Sequence, residues 1–283
     1  MDYPHPELLA ETSWLAEHIG DPAVLVIDCD EQPAYHRLHI AGAVGLRVHH
    51  YLKEAGDSAS GAGIGWHIMP PDRFADVMSR HGISNDTTVV AYDNMGGLYA
   101  ARLWWSLDYY GHANCKVLNG GFRKWFEEGR RVSMDSRHVE RGKFDVKAVR
   151  SEMCAVRSDV EAAIGRDDTV IWDVREPDEY AGTDNRANKR HGHIPGAAHI
   201  EWLDLTAKPP VRSGLLLPAD EISSKLAAIG VTPDKKVITH CQAGIRAAHG
   251  AFVLRLMGYP DSRNYDASWN EWGNVDDTPI TRD

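Results

Sequence analysis

The stretch Val237-Ile-Thr-His-Cys241-Gln-Ala-Gly-Ile-Arg246, continued by Ala247 to Gly258, decides how this chain is read. An apolar run ends on a cysteine, a short loop with one glycine follows, and the residues after it read as a helix. In an open parallel sheet, ligands bind beyond the carboxyl ends of the strands, and Cys241 stands at such an end. Gly244 permits dihedrals or close approaches that a side chain would forbid, so the loop can curl around the thiol. Backbone N–H groups and the positive end of the helix then favour a thiolate, a persulfide or a bound oxyanion. The competing reading is a buried structural thiol, the common state of a free cysteine.

Working outward, the second half of the chain repeats the first. Val170-Ile-Trp-Asp173 answers Leu25-Val-Ile-Asp28, and His193-Ile-Pro-Gly196-Ala-Ala answers His39-Ile-Ala-Gly42-Ala-Val. Pro218 to Gly230 answers Pro70 to Gly82, Lys236 to His240 answers Thr88 to Tyr92 or Asp93, and Gly244 to Gly258 answers Gly97 to Gly111. Ser268-Trp-Asn-Glu-Trp272 answers Gly121-Phe-Arg-Lys-Trp125. Matches in one order imply two copies of one α/β domain, each a parallel sheet covered by helices on both faces. The expected division is 1–130 for a non-catalytic first copy, 131–150 for a polar linker, and 151–283 for the catalytic copy. Within the first copy, Pro6 to Ile19 reads as one helix and Lys53 to Gly65 as a Gly- and Ala-rich surface loop. Two differences between the copies stand out. The second has extra residues, Tyr180 to His191, rich in Arg, Lys and Asn. At the strand-to-helix turn it has Cys241, where the first has Asp93 or Asn94.

Bulk composition excludes several classes. The 283 residues carry a formal net charge of -10, which argues against a general nucleic-acid surface. The four cysteines, Cys29, Cys115, Cys154 and Cys241, are scattered and form no Cys-x-x-Cys pair, as expected of free thiols in a reducing compartment. Met1 to Ile19 is acidic, interrupted by Pro4 and Pro6, and reads as no signal peptide; no stretch is apolar enough to span a bilayer. The expectation is a cytoplasmic protein with neither nucleic-acid nor membrane partner. The 15 histidines do not cluster with metal-ligand spacing, so no metal or other cofactor is expected. No strand is followed by Gly-x-Gly-x-x-Gly, which disfavours a dinucleotide enzyme.

With these residues in view, the chain resembles the two-domain rhodaneses, the thiosulfate and 3-mercaptopyruvate sulfurtransferases. The resemblance rests on Asp173-Val-Arg175 with Glu176-Pro-Asp-Glu-Tyr180, Gly192-His-Ile-Pro-Gly196-Ala, Cys241-Gln-Ala-Gly-Ile-Arg246 and Tyr265-Asp-Ala-Ser-Trp269-Asn-Glu-Trp272. In the first copy, Tyr92-Asp93, Arg102-Leu-Trp104-Trp105 and Leu118-Asn-Gly-Gly-Phe122 resemble the family's inactive N-terminal domain. The resemblance implies ping-pong chemistry in which Cys241 takes sulfane sulfur from a small anionic donor, thiosulfate first, and passes it to cyanide or a thiol. The backbone of Gln242, Ala243, Gly244 and Ile245 would hold the anionic sulfur. Arg246 would supply charge either to the donor or to a carboxylate that orders the loop.

The chain departs from the family pattern in two places. Gln242-Ala243 matches neither the thiosulfate-type nor the mercaptopyruvate-type loop, and Arg246 stands where both usually have Thr. An arginine expected shortly after Asp173 is replaced by Glu179, with Arg186, Lys189 and Arg190 in the inserted segment as substitutes or as a solvated polar loop. The alternatives are a 3-mercaptopyruvate sulfurtransferase, a phosphatase of the related fold and a non-catalytic binding protein. Four rather than five residues between Cys241 and Arg246 make the loop narrow for phosphate.

Overall fold

The computed structural model describes residues 2–55, 66–207 and 214–282. It contains two five-stranded parallel sheets. Across the first, the strands run Leu9–Ala10, Cys115–Leu118, Thr88–Tyr92, Val24–Asp28 and Val44–Gly45. Across the second they run Cys154–Ala155, Ser262–Tyr265, Lys236–His240, Thr169–Asp173 and Ala198–His199. The spatial order is the same in both, so the sequence repeat is a repeat of topology.

The central strands are largely apolar because both faces are covered. Val24 and Val26 face one apolar cluster of the first copy, whereas Leu25 and Ile27 face the other. In the second copy Ile171 and Ile238 point one way and Trp172 and Val237 the other. One of these clusters is common to both copies, because the Leu98–Tyr109 and Ile245–Leu256 helices pack against each other. Trp104 meets Phe252 edge-on there, with ring centroids 5.0 Å apart.

Two local readings need correction. The proposed helix from Pro6 is a short 3-10 turn (Pro6–Leu8), a strand (Leu9–Ala10) and only then a helix, Thr12–His18. Pairing of Leu9 with Val117 and Ala10 with Leu118 overrides the helical spacing of the leucines. In the proposed loop, Lys53–Ala55 is a strand, antiparallel to Trp66–Ile68, and the Lys53 side chain is buried. The rest of that stretch, 56–65, lies outside the described residues.

The segment between the copies is laid along the first. Val132–Ser133 pairs with His39–Ile40, Asn85 N–H donates to the Lys143 carbonyl, and Phe144 is buried edge-on against Phe74. The start of the chain reaches the second copy: Tyr3 donates its hydroxyl to the Leu217 carbonyl at 2.7 Å, and His5 N–H donates to Leu256 at 3.0 Å. Among the described residues, no helix is long and apolar enough to cross a membrane.

Candidate active site

Strand pairing settles the alignment of the two turns. Asp173 lies opposite His240 and Asp28 opposite Tyr92, so Cys241 corresponds to Asp93. Trp269 N–H donates to the Cys241 carbonyl as Phe122 N–H does to Asp93, each at 3.0 Å. The helices that follow begin after Gly244 and Gly97, so the first copy's turn is one residue longer. That insertion is why the sequence left the position open by one.

The first copy reveals what such a turn holds. The Asp93 carboxylate accepts four backbone N–H groups: Met95 and Gly97 on Oδ1, both at 2.8 Å, and Tyr99 and Ala100 on Oδ2, at 2.7 and 2.8 Å. A carboxyl group sits in a nest of N–H donors at the helix N-terminus, where the backbone has no intrahelical acceptors, although burial outweighs those donors and holds it above its ordinary range. In the second copy the residue at that place is Cys241, whose side chain is a thiol in place of the carboxylate.

The Cys241 loop is held from three sides. Ser268 Oγ accepts the N–H of Cys241 (3.0 Å) and of Gly244 (3.2 Å) and lies 4.0 Å from Cys241 Sγ. Ser268 has φ 53°, and the residue that answers it is Gly121 with φ 54°. A side chain in this left-handed region is uncommon, so the hydroxyl is retained against a backbone cost. From the second side, Gln242 is fixed by side-chain amides, its Nε2 donating to Asn188 Oδ1 at 2.9 Å and to Asn270 Oδ1 at 2.5 Å. From the third, the Asp266 carboxylate presses on Gly244, at which a Cβ would stand 2.2 Å from Asp266 Oδ1. Glycine is required there by both that approach and a φ of 73°.

Charges under and beside the loop are paired. Arg246 donates to both oxygens of Glu179, at 2.5 and 2.9 Å, and Glu179 is 1% exposed. Burial acts to lower the Arg246 guanidinium, but the Glu179 bonds and the Cys241 charge outweigh it and hold it above its ordinary range. Arg186 lies 2.7 Å from Glu176, 3.4 Å from Glu179 and 3.0 Å from Asp184. Arg190 turns away from the thiol: its guanidinium donates to the carbonyls of Trp272 (2.9 Å) and Thr278 (2.7 Å) and to the Thr278 hydroxyl. Its role is to tie down the chain's last turn, so the structure does not bring it to Cys241. Lys189 has its backbone N–H on Asn274 Oδ1.

Asp266 is gripped by two cations of the first copy. Arg102 donates to its oxygens at 2.5 and 3.2 Å, and Lys53 Nζ stands 3.6 Å from Oδ1. Burial acts to raise the Asp266 carboxyl, but Arg102 and Lys53 outweigh it and hold it below its ordinary range. Lys53, Arg102, Asp266 and Ser268 were not singled out from the sequence. For Ser268 the alignment with Gly121 was a usable signal; for Lys53 there was none, because its neighbours read as a loop.

The histidines beside the loop are neutral at pH 7. Burial lowers His240 to about 4 against the opposing charge of Asp173, and lowers His249 to about 4. Burial pushes the Cys154 thiol up to about 12 and carries Cys29 and Cys115 well above the usual thiol range. Among the described residues, no group of three His, Cys, Asp or Glu side chains is placed to hold a metal ion.

Comparison with known proteins places the chain in a family. The family model for the rhodanese-like domain matches twice, over residues 11–128 and 156–274. The sulfur carrier protein TtuD of Thermus thermophilus is 36% identical over 100% of this chain and 99% of its own length. The thiosulfate sulfurtransferase of Pseudomonas aeruginosa is 34% identical over 96% of both. The crystal structure of YnjE superposes with a TM-score of 0.85 over 99% of this chain and 69% of that one, at 23% identity, a likeness of fold. The chain belongs to the rhodanese-like family, as a two-domain enzyme related to the thiosulfate sulfurtransferases.

Proposed function

We propose that the protein moves sulfane sulfur through a persulfide on Cys241, from thiosulfate or a related small anionic donor to cyanide or a thiol. One observation carries this reading: Cys241 stands at the turn position whose counterpart in the first copy, Asp93, has its carboxylate in a nest of backbone N–H groups. The site is therefore suited to a group that is anionic during turnover. In the first half-reaction the Cys241 thiolate attacks the outer sulfur of thiosulfate. A new S–S bond forms, the old one breaks, and sulfite leaves with its electron pair. In the second, cyanide or a thiolate attacks the outer sulfur of the persulfide, and the Cys241 thiolate is the leaving group.

The roles of the remaining residues follow from their partners. N–H groups at the start of the Ile245–Leu256 helix stabilise the developing charge on sulfur. Gln242, Ala243, Gly244 and Ile245 shape the pocket through their backbone, and Ser268 stands beside the sulfur. Arg246 is committed to Glu179 and serves to order the loop. Arg186 is 40% exposed and remains the inserted segment's contribution at the site's edge.

Mass spectrometry after incubation with thiosulfate, then with cyanide, tests the reading. The chain is expected to gain one sulfur atom on the Cys241 peptide and to lose it as thiocyanate, with neither event in Cys241→Ser. A panel of thiosulfate, 3-mercaptopyruvate and glutathione persulfide then ranks the donors. No adduct with any of the three overturns the proposal, and release of phosphate from a phosphomonoester without thiocyanate formation replaces it with the phosphatase.

A further inference from the structure

The first copy does more than cover one side of the second. Lys53 Nζ donates to the Ala243 carbonyl in the middle of the Cys241 loop, and its side chain is 3% exposed. Arg102, fully buried, reaches the next carbonyl, Gly244, at 3.4 Å, and Asn264 Nδ2 shares that acceptor at 3.0 Å. A trans peptide places its N–H opposite its C=O. Holding the Ala243 carbonyl toward the first copy therefore turns the Gly244 N–H the other way, while the Gly244 carbonyl also accepts the Ala248 N–H of the helix at 3.2 Å. The Gly244 N–H meets Ser268 Oγ beside the sulfur, and the Ile245 N–H opens the helix.

Charge balance points in the same direction. Arg102 grips both oxygens of Asp266 and neutralises it. Lys53 is then a surplus cation in the interior, which is costly unless an anion faces it. The groups around it are Asp266, Arg102, His67 on the paired strand and Cys241. Of these, Cys241 is the one left to acquire negative charge.

We propose that Lys53 is a positioning residue of the Cys241 loop: its ammonium fixes the Ala243 carbonyl and is the counter-charge for anionic sulfur on Cys241. The proposal deepens the persulfide reading but rests only on a thiolate at Cys241, which needs the same counter-charge. Burial lowers Lys53 to about 8, with the Arg102 charge adding to burial and Asp266 and Cys241 opposing it, so the ammonium persists at neutral pH.

The test compares wild type with Lys53→Met and Lys53→Gln. Met removes the charge at similar volume, and Gln keeps a neutral donor for the Ala243 carbonyl. The readouts are iodoacetamide alkylation of the Cys241 peptide across about pH 5 to 9 and single-turnover persulfide formation from thiosulfate. Lys53→Met is expected to slow alkylation at neutral pH about tenfold, to move its rise to higher pH, and to lower kcat more than it raises KM. Lys53→Gln is expected to keep the shifted alkylation profile while recovering part of kcat. Arg102 still neutralises Asp266 in both variants; should the Met variant not fold, the alkylation profile of the Gln variant decides the question of charge by itself. Wild-type alkylation and kcat in these variants, with only a change in Tm, overturn the proposal. Absence of sulfur on the wild-type chain would instead remove the persulfide reading and leave the alkylation comparison standing.

Discussion

Ser268 carries a clear backbone signal at the site. It holds φ 53° with a side chain, at the place where the first copy has Gly121. Such a conformation costs on the order of 1 kcal/mol for a non-glycine residue. The hydroxyl returns two hydrogen bonds to the loop and donates a third to the Tyr265 carbonyl at 2.6 Å, each worth about 0.5–1.5 kcal/mol. Ser268→Gly should therefore leave the melting temperature within a few degrees while lowering kcat about 10- to 100-fold, as expected for loss of a group beside developing charge. Steady-state kinetics and calorimetry on the same preparation decide this, and unchanged kcat would show the hydroxyl to be a loop brace only. Arg246 predicts the reverse pattern. Removing it leaves Glu179 buried with Arg186 at 3.4 Å and the Glu176 N–H at 3.3 Å. Arg246→Ala should cost about 3 kcal/mol of stability with the donor KM little changed. A large rise in KM at wild-type stability would instead assign Arg246 to donor binding.

At the scale of elements, the ends of the first copy's strands gather carboxylates where the second copy has its thiol. Asp28, Asp30 and Asp93 are all buried, and Asp30 Oδ2 accepts the Asn94 N–H at 2.9 Å. Burial, with the neighbouring Asp93 and Asp28 charges, raises Asp30 to about 8. A carboxyl raised in the folded state binds its proton there when the unfolded chain has already lost it. Its contribution is therefore most favourable below about pH 4 and declines as pH rises through about 8. Asp30→Asn keeps an acceptor for Asn94 and removes the charge. It should be nearly neutral at pH 4 and stabilise by on the order of 1–2 kcal/mol at pH 9, measured by urea melts at both pH values. Equal effects at both would show that Asp30 titrates normally.

The same elements show what sequence could and could not disclose. Val24–Asp28 and Lys236–His240 were legible because strands buried on both faces have apolar centres, Val24 to Ile27 and Val237 to Ile238, and Cys241 because its loop and helix follow immediately. Leu9–Ala10 was missed because two residues at a sheet edge are chosen by their partner, Cys115–Leu118, rather than by their own period. Lys53 was hidden for a related reason. Its strand is defined by Trp66–Ile68 and its burial by Asp266, far away in the chain, and neither leaves a trace in a Gly- and Ala-rich stretch. Arg102 stood in view within Arg102-Leu-Trp104-Trp105, yet its partner belongs to the other copy.

For the molecule as a whole, these cross-copy contacts mean that the repeat is not two independent units. The Ile245–Leu256 helix starts at the Cys241 loop and buries Phe252, Leu254 and Leu256 in a core shared with Trp104 and Leu107 of the first copy. Removing the first copy would bare that apolar face and leave Asp266 without Arg102 or Lys53. An exposed face of this kind favours association over a defined fold, and an unpaired buried carboxylate costs several kcal/mol more. A chain limited to 151–283 should therefore show no cooperative melt, should bind a hydrophobic dye and should take up no sulfur on Cys241. Adding Trp104→Ala to the full chain gives the graded form of the same experiment, with a loss of about 3–5 kcal/mol expected from the cavity beside Phe252. A soluble 151–283 fragment that melts cooperatively and alkylates Cys241 at the wild-type rate would show the second copy to be self-sufficient. It would also take away the first copy's part in the reaction.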